Sequence, residues 1–169
     1  MERRTADVEE REFLQLVEPV LPLAHRLAVG LLHSPSDADD AVQSALLNAW
    51  RSYGRFRPGS DLKPWLLTIV ANECRHQRRN RWWSVIKGPA GGGEQRSESG
   101  VPDPAVSDLR RAIYRMPHDQ RLVVILRYYM DLSFEEVAQT LGISTKAAKS
   151  RTYRALERLR LSPEVRPDE

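Results

Sequence analysis

The side chains best suited to chemistry are the basic and polar residues between Ser144 and Arg160. This stretch holds six basic residues and one acid, Glu157, so its local net charge is +5. At helical spacing one face points inward and the other carries Lys146, Lys149, Ser150, Tyr153 and Arg154. Cations and small polar groups near the start of a helix suit phosphate anchoring and base-edge contact in a major groove. A solvated basic face is the alternative interpretation, and the helix-turn-helix spacing around the stretch favours DNA binding over it.

A second polar set recurs at helical spacing in the N-terminal half: Thr68, Asn72, Arg75 and Arg79. Arginines then cluster toward residue 81, next to two tryptophans, Trp82 and Trp83. Interleaved cations and rings suit single-stranded nucleic acid, because bases stack on the rings while the backbone meets positive charge. Arginines at an exposed helix end are equally explained by the negative end of the helix dipole. The spacing alone leaves both interpretations open.

A third set is acidic, at the start of the stretch 36–50, where Asp37, Asp39 and Asp40 precede an apolar stripe. Acids in the first turn of a helix are explained by capping and by the helix dipole. They could also dock a basic partner, although the sequence favours the capping explanation.

Other chemistries have little support in the 169 residues. The four histidines are scattered, and Cys74 and His76 do not share a helix face, so we expect no metal site. The single cysteine excludes an internal disulfide. No Gly-rich phosphate loop precedes a lysine, no nucleophile–base pair stands out, and we expect neither an enzyme nor a cofactor. The apolar runs are too short to cross a bilayer and the N-terminus lacks a signal peptide's apolar region, so we expect a cytoplasmic protein.

The elements that position these residues are predicted to be helices in two small domains, giving an all-α fold. A Gly/Pro/Ser-rich stretch, residues 85–104, reads as a flexible linker between an N-terminal module (10–84) and a C-terminal module (105–161). In the N-terminal module we predict a helix interrupted near Pro19 and Pro22, and a helix with Ser36 or Asp37 as its N-cap that ends near Gly54. A third helix is predicted to run from Pro64 toward Arg81, with Trp65 in the core.

The C-terminal module has the sequence pattern of a helix-turn-helix. We predict a helix over Asp108–Met116 and a second that starts at Pro117. Ser133 and Glu136 form a capping box for a short third helix that Gly142 ends. Ser144 then caps the last helix, and this order of short helix, glycine turn and capped helix suits DNA binding.

In this order the pieces resemble the extracytoplasmic-function (ECF) group of bacterial RNA polymerase sigma factors. Residues 37–50 (DADDAVQSALLNAW) resemble the family's polymerase-binding helix, and 55–79 (RFRPGSDLKPWLLTIVANECRHQRR) its Phe-…-Trp-Leu-x-x-Ile-x-x-Asn pattern. Residues 127–155 (RYYMDLSFEEVAQTLGISTKAAKSRTYRA) resemble sigma region four. Two such modules in this order make the resemblance specific. One departure is Thr68, which stands where many relatives carry a basic residue.

The resemblance implies a factor that binds the β′ and β subunits of core RNA polymerase and directs the enzyme to promoter DNA. It also implies an anti-sigma factor as a partner, and no membrane insertion. Three sets of site residues follow from it. The polymerase face would be Asp40, Gln43, Leu46, Leu47 and Trp50. The minus-ten face, which takes an unpaired base, would be Arg57, Ser60, Asp61, Lys63, Thr68, Asn72, Arg75 and Arg79. The minus-thirty-five face would be Ser144, Thr145, Lys146, Lys149, Ser150, Arg151 and Arg154.

Two other functions are compatible with parts of the sequence. A stand-alone helix-turn-helix regulator would bind a duplex operator as a dimer, but the chain offers no long heptad run and no ligand-sized module. The second alternative is a helical interaction protein whose basic faces are only solvated, and it would not account for the helix-turn-helix pattern.

Overall fold

A computed structural model of the chain describes residues 2–57, 59–87, 104–163 and 165, with side chains placed from residue 9 to 80 and from 108 onward within these ranges. The described residues form helices and no strand. The N-terminal module contains α1 (Glu2–Val17), α2 (Leu21–Leu32), α3 (Pro35–Ser52) and α4 (Leu62–Lys87). The C-terminal module contains α5 (Pro104–Arg115), α6 (His118–Val124), α7 (Phe134–Leu141) and α8 (Thr145–Arg160). The predicted all-α fold is therefore confirmed.

The prolines of the first helical stretch act as predicted. A short 3₁₀ turn, Glu18–Val20, separates α1 from α2, because Pro19 and Pro22 cannot donate the backbone hydrogen bonds of a continuous helix. The predicted cap of α3 is wrong: Ser34 is the N-cap, and its hydroxyl accepts a hydrogen bond from the Asp37 amide (3.3 Å). Pro35 occupies the first helical position, which needs no amide donor, so the helix begins before Ser36.

The helix-turn-helix has the predicted caps. Ser133 and Glu136 form a reciprocal capping box at the start of α7, and Gly142 ends this helix with a positive φ of 62°. Ser144 accepts a hydrogen bond from the Ala147 amide (3.2 Å) and caps α8. A π-helical turn, Ile125–Tyr129, follows α6. The boundaries of α7 and α8 thus follow from local residue chemistry.

The two modules pack against each other. One cluster of buried side chains contains Leu31 and Leu67 from the N-terminal module together with Leu126 and Val137 from the C-terminal module. The α4 helix lies against α7, and α2 lies against the π-helical turn. The α4 helix continues to Lys87, into the segment predicted as linker, and residues 88–103 lie outside the described residues. The packing places the start of α4 beside the end of α7, where the minus-ten face was predicted.

Within the described residues, no helix has the length and apolar character needed to span a membrane. Across the same residues, no group of three or more histidine, cysteine, aspartate or glutamate side chains is arranged to hold a metal ion.

Candidate nucleic-acid interface

The α8 helix presents the predicted minus-thirty-five residues along one side. Its opposite side is buried against α6 and α7 through Ala148, Thr152, Ala155 and Leu159. Thr145 is half-buried at its first turn, and the exposed predicted residues are Ser144, Lys146, Lys149, Ser150, Arg151 and Arg154. The structure therefore places Ser144 at the N-cap of α8 and the other six predicted residues within the helix, and six of the seven are open to solvent.

Side-chain contacts hold some of the exposed residues of α8 in position. The Arg154 guanidinium donates to the Ser150 hydroxyl (3.1 Å) and backbone carbonyl (3.3 Å). The Lys149 ammonium lies 5.6 Å from the centre of the Phe134 ring, and Tyr153 packs against the same ring. Phe134 belongs to α7, so the first helix of the helix-turn-helix supports the basic side chains of the second.

Four of the eight predicted minus-ten residues line a cleft between the modules. Its volume is about 510 Å³. On the N-terminal side it is lined by Arg57, Ser60, Asp61 and Thr68 from the predicted set and by Arg55, Phe56 and Trp65. Trp65 is half-buried and packs on Phe56 (4.9 Å between ring centres). Trp65, which was predicted to lie in the core, packs against a cluster of buried side chains and also lines the cleft.

The loop before α4 is shaped by its own hydrogen bonds. Gly59 has a φ of 81°, which favours glycine, and the Ser60 amide donates to the Arg57 carbonyl (3.1 Å). The Asp61 carboxylate accepts a hydrogen bond from the Lys63 amide (2.9 Å), so Asp61 caps α4. Asp61 thereby holds the loop in place at the mouth of the cleft.

Three predicted minus-ten side chains are bound by the C-terminal module. The Lys63 ammonium donates to the Glu136 carboxylate (2.5 Å), and the Thr68 hydroxyl donates to the Thr140 carbonyl (2.6 Å). Arg75 forms an ion pair with Asp119. Hydrogen bonds from Lys63 and from the Ser133 amide lower the pKa of Glu136 to about 2. Asn72 and Arg79, further along α4, are exposed.

The predicted polymerase-binding residues lie on α3. Asp40 and Gln43 are exposed, and Leu46 is half-buried against the core. Leu47 is 59% exposed and Trp50 37%, which is high for large apolar side chains on one helix. The Trp50, Tyr53 and Phe56 rings follow one another at 6.2 Å spacing, so an aromatic row connects this face to the cleft.

Sequence reasoning missed the residues that join the modules. Arg121 on α6 is fully buried, and its guanidinium donates to the Leu31 carbonyl at the end of α2 (2.8 Å). It also donates to the carbonyls of Ile113, Tyr114 and Met116 around the end of α5. One cation thus satisfies carbonyl groups at the ends of two helices from different modules. Burial lowers the pKa of Arg121 to about 10. Periodicity carries no signal for such a role, because the partners lie far apart in sequence.

Comparison with known proteins identifies both modules. The family model for Sigma-70 region 2 matches residues 16–84, and that for Sigma-70 region 4 matches residues 107–159. RNA polymerase sigma factor CarQ of Myxococcus xanthus is 32% identical over 93% of this chain and 92% of its own length. ECF RNA polymerase sigma factor EcfG of Rhodopseudomonas palustris is 32% identical over 82% of this chain and 78% of its own.

A solved structure has a similar arrangement. The sigma factor RpoE of Bartonella quintana, in complex with the anti-sigma factor NepR, superposes with a TM-score of 0.65 and 32% identity. The match covers 89% of this chain and 96% of that one.

Proposed function

The chain belongs to the ECF group of RNA polymerase sigma factors, and we propose that it binds core RNA polymerase and directs transcription initiation at specific promoters. The observation that carries the proposal is the pair of sigma regions, matched in order along one chain, with the exposed basic side of α8 in the second region. Polymerase supplies the catalysis in such a complex, and this chain supplies promoter choice.

We assign the parts of this function to the two modules. The N-terminal module, residues 10–84, would bind polymerase through the α3 face around Leu47 and Trp50, which leaves large apolar side chains for a partner to cover. Its cleft at the start of α4 would hold an unpaired base of the minus-ten element. A base taken out of the stack needs a pocket with rings and polar groups, and Phe56, Trp65 and the Thr68 hydroxyl are of that kind.

The C-terminal module, residues 105–161, would bind the minus-thirty-five element as duplex. The α8 helix combines side chains that fit base edges, such as Arg154, with side chains that fit phosphates, such as Lys149. The segment between the modules would act as the linker. By similarity to the RpoE–NepR complex, we also propose an anti-sigma factor as a partner of this chain.

The test is transcription with purified core RNA polymerase from a panel of promoters. We expect specific initiation only when this protein is added. The alternative, a stand-alone helix-turn-helix regulator, predicts tight binding to a palindromic duplex without polymerase and no initiation in this assay. That result would overturn the proposal.

A further inference from the structure

The cleft at the start of α4 is lined by residues of both modules. The N-terminal module contributes the apolar and aromatic side chains of Phe56, Trp65 and Ile69. The C-terminal module contributes residues 139–142, at the end of α7. The volume of about 510 Å³ lies within the roughly 300–1,000 Å³ that is typical of small-molecule pockets. The cleft is therefore large enough for a small ligand that contacts both modules at once.

The aromatic side chains of the cleft suit a flat, ring-shaped ligand. The Trp65 and Phe56 rings lie 4.9 Å apart between their centres and are tilted by 44°. Phe56 also contacts Tyr53, whose ring is nearly parallel to it at 6.2 Å. Phe56 is thus held between two other rings, and half-buried Trp65 lines the open space of the cleft. A nucleobase can stack on such a ring, because every base has a π-face.

Two polar side chains in the cleft can bind the edge of a base. Gln139 on α7 is exposed, and its side-chain amide, which has no hydrogen-bond partner among the described residues, carries both donors and an acceptor. The Thr68 hydroxyl donates to the Thr140 carbonyl (2.6 Å), so it offers a ligand its oxygen as an acceptor. A glutamine amide pairs well with the N6 amino group and the N7 atom of adenine. These groups therefore favour a purine base, and adenine in particular.

The charged side chains of the cleft favour an anion. Arg55 and Arg57 line it and are exposed, and neither has an ion-pair partner among the described residues. Asp61 is the one acid in the lining, so the lining side chains carry a net charge of 2 − 1 = +1. The Asp61 carboxylate already accepts a hydrogen bond from the Lys63 amide (2.9 Å). The planar guanidinium of arginine matches the geometry of a phosphate group, so these two arginines suit a phosphate ester.

We propose that this cleft binds a free purine nucleoside 5′-phosphate, with the base against Trp65, the edge of the base at Gln139 and the phosphate at Arg55 and Arg57. The ligand is a small molecule, and Gln139 is outside the set of residues assigned to the minus-ten element. Because the ligand binds the folded chain, it stabilises the chain in proportion to the logarithm of its concentration above the Kd. The same rings are assigned to an unpaired promoter base, so the nucleotide excludes that base from the cleft. This last consequence rests on the proposed function.

The test measures binding to the full chain without polymerase or DNA, by isothermal titration calorimetry and by ligand-observed NMR. The probes are adenosine 5′-monophosphate (AMP), adenosine and ribose 5-phosphate. Adenosine lacks the phosphate, and ribose 5-phosphate lacks the base. We therefore expect AMP to bind roughly ten-fold more tightly than either of the other two probes.

Two variants at exposed positions test the two ends of the ligand. Gln139→Ala should weaken AMP binding roughly five-fold and leave the binding of ribose 5-phosphate unchanged. Arg57→Ala should weaken AMP binding roughly ten-fold and leave the binding of adenosine unchanged. A folding defect would not produce this crossed pattern. The matched control is Arg51→Ala, at an exposed arginine of α3 that is not in the lining of the cleft, and it should bind AMP as the unmodified chain does.

Four outcomes overturn the proposal. The first is that AMP does not bind at millimolar concentration by either method, and the second is that ribose 5-phosphate binds as tightly as AMP. The third is that Gln139→Ala and Arg57→Ala both bind AMP as the unmodified chain does. The fourth is an equal loss in Arg51→Ala and Arg57→Ala, because general charge would then attract the anion. Failure of the proposed function appears separately, as absence of initiation with core polymerase, which the binding assay does not contain.

Discussion

The two proposed DNA-binding faces differ in how many of their side chains are held by contacts with the other module. On α8, six of the seven predicted side chains are exposed and their contacts stay within the helix-turn-helix. On the N-terminal face, Lys63, Thr68 and Arg75 are bound by the other module. Helical periodicity defines both faces equally well, but contacts between distant segments decide which face is available. Substitutions on the covered face should therefore change stability and module separation, whereas substitutions on the free face should change DNA affinity.

The largest effect should come from Arg121, whose buried guanidinium joins the two modules. Arg121→Met leaves carbonyl groups of two helix ends without their donor, and we expect a loss of about 3 kcal/mol in the free energy of unfolding. Urea denaturation followed by circular dichroism measures it. Arg158→Met, on the exposed side of α8, is the control and should cost less than about 1 kcal/mol. Similar losses for the two variants would show that the buried guanidinium does not hold the modules together.

The next largest effect should come from the exposed basic residues of α8. Arg154→Ala should weaken binding to duplex minus-thirty-five DNA by about 1–3 kcal/mol if Arg154 contacts a base edge, with little change in the free energy of unfolding. Lys149→Ala should weaken binding to all sequences similarly and reduce the salt dependence, as loss of a phosphate contact does. Glu157→Ala is the control, because removal of the single acid from a basic helix should not weaken binding. An equal loss for Glu157→Ala and Arg154→Ala, measured by fluorescence anisotropy, would mean that α8 matters for packing only.

The contrast between local contacts and contacts between distant segments also explains which features could be predicted from the sequence. Local chemistry was sufficient for Ser133, Glu136, Gly142 and Ser144, because caps and turns are decided within a few residues. The cap of α3 was misplaced because Pro35 makes Ser34 a better start than Ser36. The role of Arg121 and the second function of Glu136, which binds Lys63 as well as capping α7, depend on residues more than 70 positions away. Hydrophobic periodicity carries no information about such distant pairs, so the packing of the two modules against each other could not be predicted.

A smaller effect should follow from Asn72, which is exposed on the face of α4 that continues from the covered residues. Asn72→Ala should reduce promoter opening by polymerase roughly five-fold, the value of one lost hydrogen bond of about 1 kcal/mol, while minus-thirty-five binding stays the same. Permanganate reactivity of unpaired thymines measures opening, and anisotropy with the duplex element measures binding. Equal losses in both assays would instead indicate a folding defect.

The smallest effect should be a pH dependence that belongs to Glu136. Its pKa is lowered from the ordinary value of about 4.5 to about 2 in the folded chain by its bonds to Lys63 and Ser133. A lowered carboxyl pKa stabilises the fold above the unfolded value, and this stability is lost as the pH falls from about 4.5 toward 2. Because the Lys63–Glu136 pair is partly exposed, we expect it to contribute less than about 1 kcal/mol to the free energy of unfolding.

Glu136→Gln should remove this part of the pH dependence. In urea denaturation the variant should be less stable than the unmodified chain at pH 6 and equal to it near pH 2. Glu135→Gln, the same change at the neighbouring exposed position of α7, is the matched control and should show the same pH dependence of stability as the unmodified chain. If the Glu135 variant changes the pH dependence as much as the Glu136 variant, the contact across the modules contributes nothing, and the acid acts only at the start of its own helix.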